Sequence, residues 1–86
     1  MTITGAVIKE QGVTFAVIIV AASVTRYTVR LAQARAELSM FFQNMPIILM
    51  SQNQNGQPQY YGRKDIVEFL KGIRVDQIPW KEYHIY

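Results

Sequence analysis

The chain predicts an α+β fold: one domain spanning residues 1–86, with a mixed four- to five-stranded sheet, two helices and the element order ββαββαβ. Three observations predict it. Gln11-Gly12 and Asn55-Gly56 each separate two strand-like runs, and a glycine in second place suits a two-residue hairpin turn. Between the hairpins, apolar residues recur at alternating steps of three and four from Val24 to Met45, the period of an amphipathic helix. A second stretch of helical period follows Gly62 and ends near Ile73.

Thr2 to Glu10 and Val13 to Ala22 form the first hairpin. With Gln11 and Gly12 as its turn, Glu10 faces Val13, Ile8 faces Phe15 and Ala6 faces Val17, while Lys9, Val7 and Gly5 face Thr14, Ala16 and Ile18. The second of these strands is apolar on both faces and is expected at the centre of the sheet. Its run from Val13 to Val24 also invites comparison with a signal peptide or a membrane span. The only base before it, Lys9, is offset by Glu10, and the run falls short of the roughly 18 apolar residues that a span needs. A cytoplasmic, non-membrane protein is expected.

Ser23 is placed to cap the first helix. Val24, Tyr27, Leu31, Ala34, Leu38, Phe41 and Met45 make its apolar stripe, with Arg26, Arg30, Gln33 and Glu37 on a polar face. The helix should stop near Asn44, because Pro46 disfavours helical angles at Met45. Ile47 to Met50 then reads as a buried strand. With Asn55-Gly56 as a type I′ turn, Gln54 faces Gln57 and Asn53 faces Pro58. Proline has no N–H to give a neighbour, so the strand through Tyr61 is expected at a sheet edge. Gly62 caps a helix through Ile73 whose buried face is Ile66, Phe69, Leu70 and Ile73, with Asp65 and Glu68 near its positive end and Lys71 near its negative one. After a short connection, Trp80 to Tyr86 alternates as a last strand.

From Asn44 to Ile73, the proline that opens a buried strand (Pro46), the edge strand, Gly62 and the closing helix together resemble the C-terminal half of the thioredoxin-like fold. The resemblance implies an architecture and no activity. That family's redox chemistry needs a CxxC pair, this chain has no cysteine, and its first half reads as a hairpin where that fold has a βαβ unit. An alternative ferredoxin-like βαββαβ order over residues 13–86 would make Gln57–Tyr61 central and Ile47–Met50 an edge, against Pro58 and the hydrophobicity of the two strands. RNA-recognition domains share that order, but their aromatic signatures do not occur in this sequence.

Composition excludes several chemistries. Without cysteine there is no disulfide, thiolate nucleophile or Cys-based zinc site. One histidine and six scattered carboxylates give no pattern of metal ligands, and no cofactor is assigned. The net charge of +3 permits an anionic partner, without any run of Lys and Arg to demand one. Half of the residues are hydrophobic, a large share for so short a chain, which favours burial of some apolar surface by a partner and hence a homodimer.

Two clusters are candidates for function. Tyr60, Tyr61, Arg63 and Lys64 surround a helix N-terminus, where free N–H groups and two bases would hold a phosphate or carboxylate and a tyrosine would stack on a base. The plain alternative is one tyrosine packed inward and two solvated bases. Trp80, His84 and Tyr86 share strand parity and would form an aromatic interface patch, unless Trp80 closes the core. Glu82 is the one acid near His84 and no nucleophile accompanies them, so no catalytic residue is assigned. The expected function is a small non-enzymatic interaction module that self-associates; the alternative is weak binding of an anion or single-stranded nucleic acid after Gly62.

Overall fold

A computed structural model describes residues 2–84; Ile85 and Tyr86, the end of the expected last strand and one member of the aromatic patch, lie outside the described residues. The strands are β1 (Thr2–Glu10), β2 (Val13–Ile19), β3 (Ile47–Gln52), β4 (Pro58–Tyr61) and β5 (Lys81–His84), and the helices are α1 (Ala22–Thr25), α2 (Thr28–Ser39) and α3 (Lys64–Lys71). A 3-10 turn over Val75–Gln77 precedes β5. The strands make one mixed sheet in the order β4-β3-β2-β1-β5, so the sheet has five strands and the element order ββαββαβ holds. Expected as one helix, the first helical segment is two, α1 and α2.

β2 is central, as its two apolar faces require. Gln11 and Gly12 both take positive φ, 52° and 78°, and the β1–β2 register is the expected one, from Glu10↔Val13 to Gly5↔Ile18. β2 and β3 run parallel, from Ala16↔Ile47 to Ile19↔Met50, so the chain must cross back over the sheet between them; α1 and α2 make that return. β3 pairs on its other side with β4, which places Pro58 at the edge and rules out the ferredoxin-like arrangement with Gln57–Tyr61 at the centre. β5 closes the opposite edge, antiparallel to β1, with Thr2↔His84 and Gly5↔Lys81.

The two helices of more than one turn cover opposite faces of the sheet. On one face Ala6, Phe15, Val17, Ile48 and Met50 pack against Ile66 and Leu70 of α3. On the other, Ala16, Ile18, Ile47 and Leu49 pack against Leu38 of α2 and Phe42. Alternation along β2 and β3 feeds the two clusters in turn, which is why both strands are apolar throughout. Among the described residues no helix is long and apolar enough to cross a membrane.

Several local expectations need correction. Ser23 does not cap the first helix: the N-cap of α1 is Ala21, with no side-chain cap hydrogen bond. Thr25 Oγ1 bonds the Ala22 carbonyl (3.1 Å) and the buried Ser51 hydroxyl (2.8 Å), and Tyr27 is extended at φ −119°. The helix therefore restarts at Thr28. Leu31, Ala34 and Leu38 face the sheet as the stripe requires, joined by Phe42 in place of Phe41, while Tyr27 and Phe41 stand 53% and 49% exposed. Helix α2 stops at Ser39, short of Asn44, and Asn44 reverses the chain at φ 64°, a conformation that asparagine tolerates better than most residues.

The second hairpin is offset by one residue from the type I′ expectation. The Asn53 side-chain oxygen accepts the N–H groups of Asn55 and Gln57, both at 2.9 Å, and only Gly56 has positive φ. The result is a three-residue loop with a bulge, and Pro58 faces Gln52 instead of Asn53. Likewise the α3 N-cap is Arg63 rather than Gly62, and the helix ends at Lys71.

Candidate functional site

Because α2 and α3 lie on opposite faces, they flank the β4 edge from both sides, and a shallow, open groove of about 720 Å³ runs beside it. Its floor is the Tyr60–Gly62 backbone. Gly62 is required there by close approach: a Cβ at this position would lie 2.5 Å from Ile48 Cδ1 and 3.1 Å from the Ile47 carbonyl oxygen. Arg63, Lys64 and Lys71 line the α3 side and Arg35 the α2 side, with Glu68 among them. All four sequence-selected residues of the first cluster, Tyr60, Tyr61, Arg63 and Lys64, thus meet in one place.

Their environments differ. Tyr60 pairs with Met50 and turns its ring to the α3-side core; its hydroxyl is buried with no hydrogen-bond partner among the described residues, and burial raises its pKa. Tyr61 pairs with Leu49 and packs on the α2 side. The Arg63 guanidinium grips the Asp65 carboxylate through two bonds of 2.8 and 3.0 Å and holds that carboxyl below its ordinary pKa. Lys71 lies 3.4 Å from Glu68. Both pairs are exposed and add little stability. Lys64 is exposed, and none of the three ion pairs among the described residues involves it.

Arg35 was not singled out in the sequence. It donates Nη2 to the Tyr61 carbonyl at 3.0 Å and Nε to the Ile47 carbonyl at 3.4 Å, tying α2 to β3 and to the end of β4. Four residues after Leu31 and three before Leu38, it is a base on the helix's inward side. That spacing was its one legible signal. Arg26 and Arg30 do not join this groove. Arg26 lines a separate depression near Ser51 and Gln59, and the Arg30 guanidinium sits 5.3 Å from the centre of the Tyr27 ring.

The second cluster divides. Trp80 is half-buried against the α3-side core and donates its indole N–H to the Val75 carbonyl at 2.9 Å. His84 is exposed, its Nδ1 3.3 Å from Thr2 Oγ1 on the neighbouring strand. Tyr86 is outside the described residues.

A different apolar surface lies where α2 leaves the sheet uncovered. Between α2 and β1 runs a groove of about 200 Å³ walled by Ile3, Ile18, Val20, Ala34, Leu38 and Phe41, with Glu37 at its margin. Val7, on the same face of β1, is 42% exposed. Comparison of the chain with protein-family models, with curated proteins and with solved structures finds no match.

Proposed function

We propose that this chain is a small non-enzymatic interaction module that self-associates as a homodimer. The observation that carries the reading is the incompletely covered α2 face. A core-like groove from Ile3 to Phe41 lies open, and Tyr27, Val29, Met40 and Phe41 project from α2 and its flanks with exposures of 49 to 70%. Large apolar side chains gathered on one side of a small domain are what a protein partner buries. A cytoplasmic location belongs to the same reading, since the run after Val13 forms the central strand β2. Size-exclusion chromatography with light scattering tests it: a dimer is expected at micromolar concentration, and a strict monomer at high micromolar concentration overturns it.

A second reading, weak anion binding, is supported by the β4-edge groove, where Arg35, Arg63, Lys64 and Lys71 converge with a single acid, Glu68, on the wall. Binding of a single-stranded oligonucleotide there must weaken with salt, because phosphate contacts release counterions. Binding that is unchanged in Arg63→Ala/Lys64→Ala removes this reading.

A further inference from the structure

We infer that the partner is a second copy of the chain, docked α2 to α2 in antiparallel orientation about a two-fold axis beside Gln33 and Ala36. This rests on the self-association reading above and places the contact on the outward side of α2, where Val29 and Met40 project; the groove beside β1 stays open.

Once Leu31, Leu38 and Phe42 are turned to the sheet, a second line of residues remains on the opposite side of α2. Val29, Gln33, Ala36 and Met40 follow one another at steps of four, three and four, the spacing of a helix-pairing seam. All four are exposed, Val29 at 69% and Met40 at 70%. Four of the six large hydrophobic residues exposed among the described residues lie on this helix or its flanks. They divide between its ends, Tyr27 and Val29 at the start and Met40 and Phe41 just beyond the finish.

That division selects the orientation. An antiparallel pair sets Val29 against Met40 of the second copy and Gln33 against Ala36, so each apolar end covers the other. Charge agrees. Arg30 and Glu37 flank the seam on one side, seven residues apart, and neither takes part in the three ion pairs among the described residues. In the antiparallel arrangement Arg30 of each copy meets Glu37 of the other, giving two opposite-charge contacts. In a parallel arrangement the Arg30 and Glu37 flanks of the two copies lie on opposite sides of the seam, so no opposite-charge contact forms. The contact is isologous and closes on itself, so it yields a dimer and not a filament.

Val29 and Met40 put roughly 200 Å² of apolar surface on the seam, a part of the ~800 Å² per partner that a stable interface buries. Ala32, Ala36 and the stems of Arg30, Gln33 and Glu37 extend the same surface.

Sedimentation equilibrium of the full chain tests the pairing, with circular dichroism to confirm that each variant is folded. Arg30→Glu and Glu37→Arg alter exposed side chains outside the core. Each alone turns both cross-copy contacts repulsive and is expected to weaken the dimer about tenfold or more. The double exchange Arg30→Glu/Glu37→Arg restores opposite charges and should return affinity to near the wild-type value. Met40→Lys should give a monomer. A wild-type dimer indifferent to the single exchanges, or one not rescued by the double exchange, overturns the antiparallel α2 pairing while self-association itself stands. A wild-type monomer overturns both.

Discussion

Tyr60 carries its cost in a single atom: the ring packs with the α3-side core, and the buried hydroxyl finds no partner among the described residues. Replacing a buried unpaired polar group by an apolar one of the same shape is neutral or stabilising, so Tyr60→Phe should keep stability or raise it by up to about 1 kcal/mol, read from the urea midpoint. The same substitution has a pH signature. Burial lifts the folded-state pKa of Tyr60 above its ordinary value near 10, so its contribution is fully present below that value and is lost as pH rises through the raised one. The alkaline fall in stability should be shallower in Tyr60→Phe. Gly62 poses the opposite case, since a methyl group there meets both Ile48 and the β3 backbone. Gly62→Ala should cost about 1–3 kcal/mol in the same measurement. The glycine itself was evident in the sequence. Its reason, a strand passing close beneath it, needed the fold.

The two hairpins separate what local chemistry decides from what it leaves open. At Gln11-Gly12 no neighbouring side chain competes for the backbone, and the register follows from the dipeptide alone. At Asn55-Gly56 the upstream Asn53 captures two backbone N–H groups and selects a longer loop, which moves every later pair by one place and decides that Tyr60 faces α3 and Tyr61 faces α2. Asn53→Ala should therefore lower stability by about 1–2 kcal/mol, measured by thermal or urea unfolding. The first helix repeats the lesson over a greater length. A stripe counted from Val24 keeps Leu31, Ala34 and Leu38 across the break at Arg26 and Tyr27, but it runs on past the helix end at Ser39, so it points to Phe41 where the core holds Phe42. Phe42 is 6% exposed and meets the Tyr83 ring edge-on at 5.2 Å. Phe42→Ala should cost about 3–5 kcal/mol and Phe41→Ala less than about 1 kcal/mol in the monomer. Equal costs would mean that Phe41 is in the core as well as Phe42.

For the whole molecule, the sheet is a shared wall between two cores. Leu49 faces the α2-side cluster and Leu70 belongs to the α3-side cluster; both are fully buried. Neither helix can leave without exposing one face of β2 and β3, so unfolding should be a single transition. Leu49→Ala and Leu70→Ala should each lower that transition by about 2–5 kcal/mol without splitting it. Two resolved transitions in either variant would show that the clusters are independent. The coverage is unequal, however. Openings remain on both faces, about 290 Å³ beside Phe69 under α3 and about 200 Å³ beside Phe41 under α2, but Val7, Tyr27, Val29, Met40 and Phe41, five of the six large apolar residues exposed among the described residues, lie on the α2 side. That imbalance gives the half-apolar composition a location, which composition by itself could not supply.

Local chemistry determined most of the architecture from the sequence alone. Alternation and helical period are properties of short segments, and they sufficed for the element order, the central β2, the edge position of Pro58 and the β1–β2 register. Tertiary structure decided the entry of Phe42 rather than Phe41 into the core, the meeting of Arg35 with the end of β4, and which apolar residues remain uncovered. Each of these depends on where a segment stops, or on contacts between residues far apart in the chain. A spacing rule carries a residue along its own element; only packing shows what lies across from it.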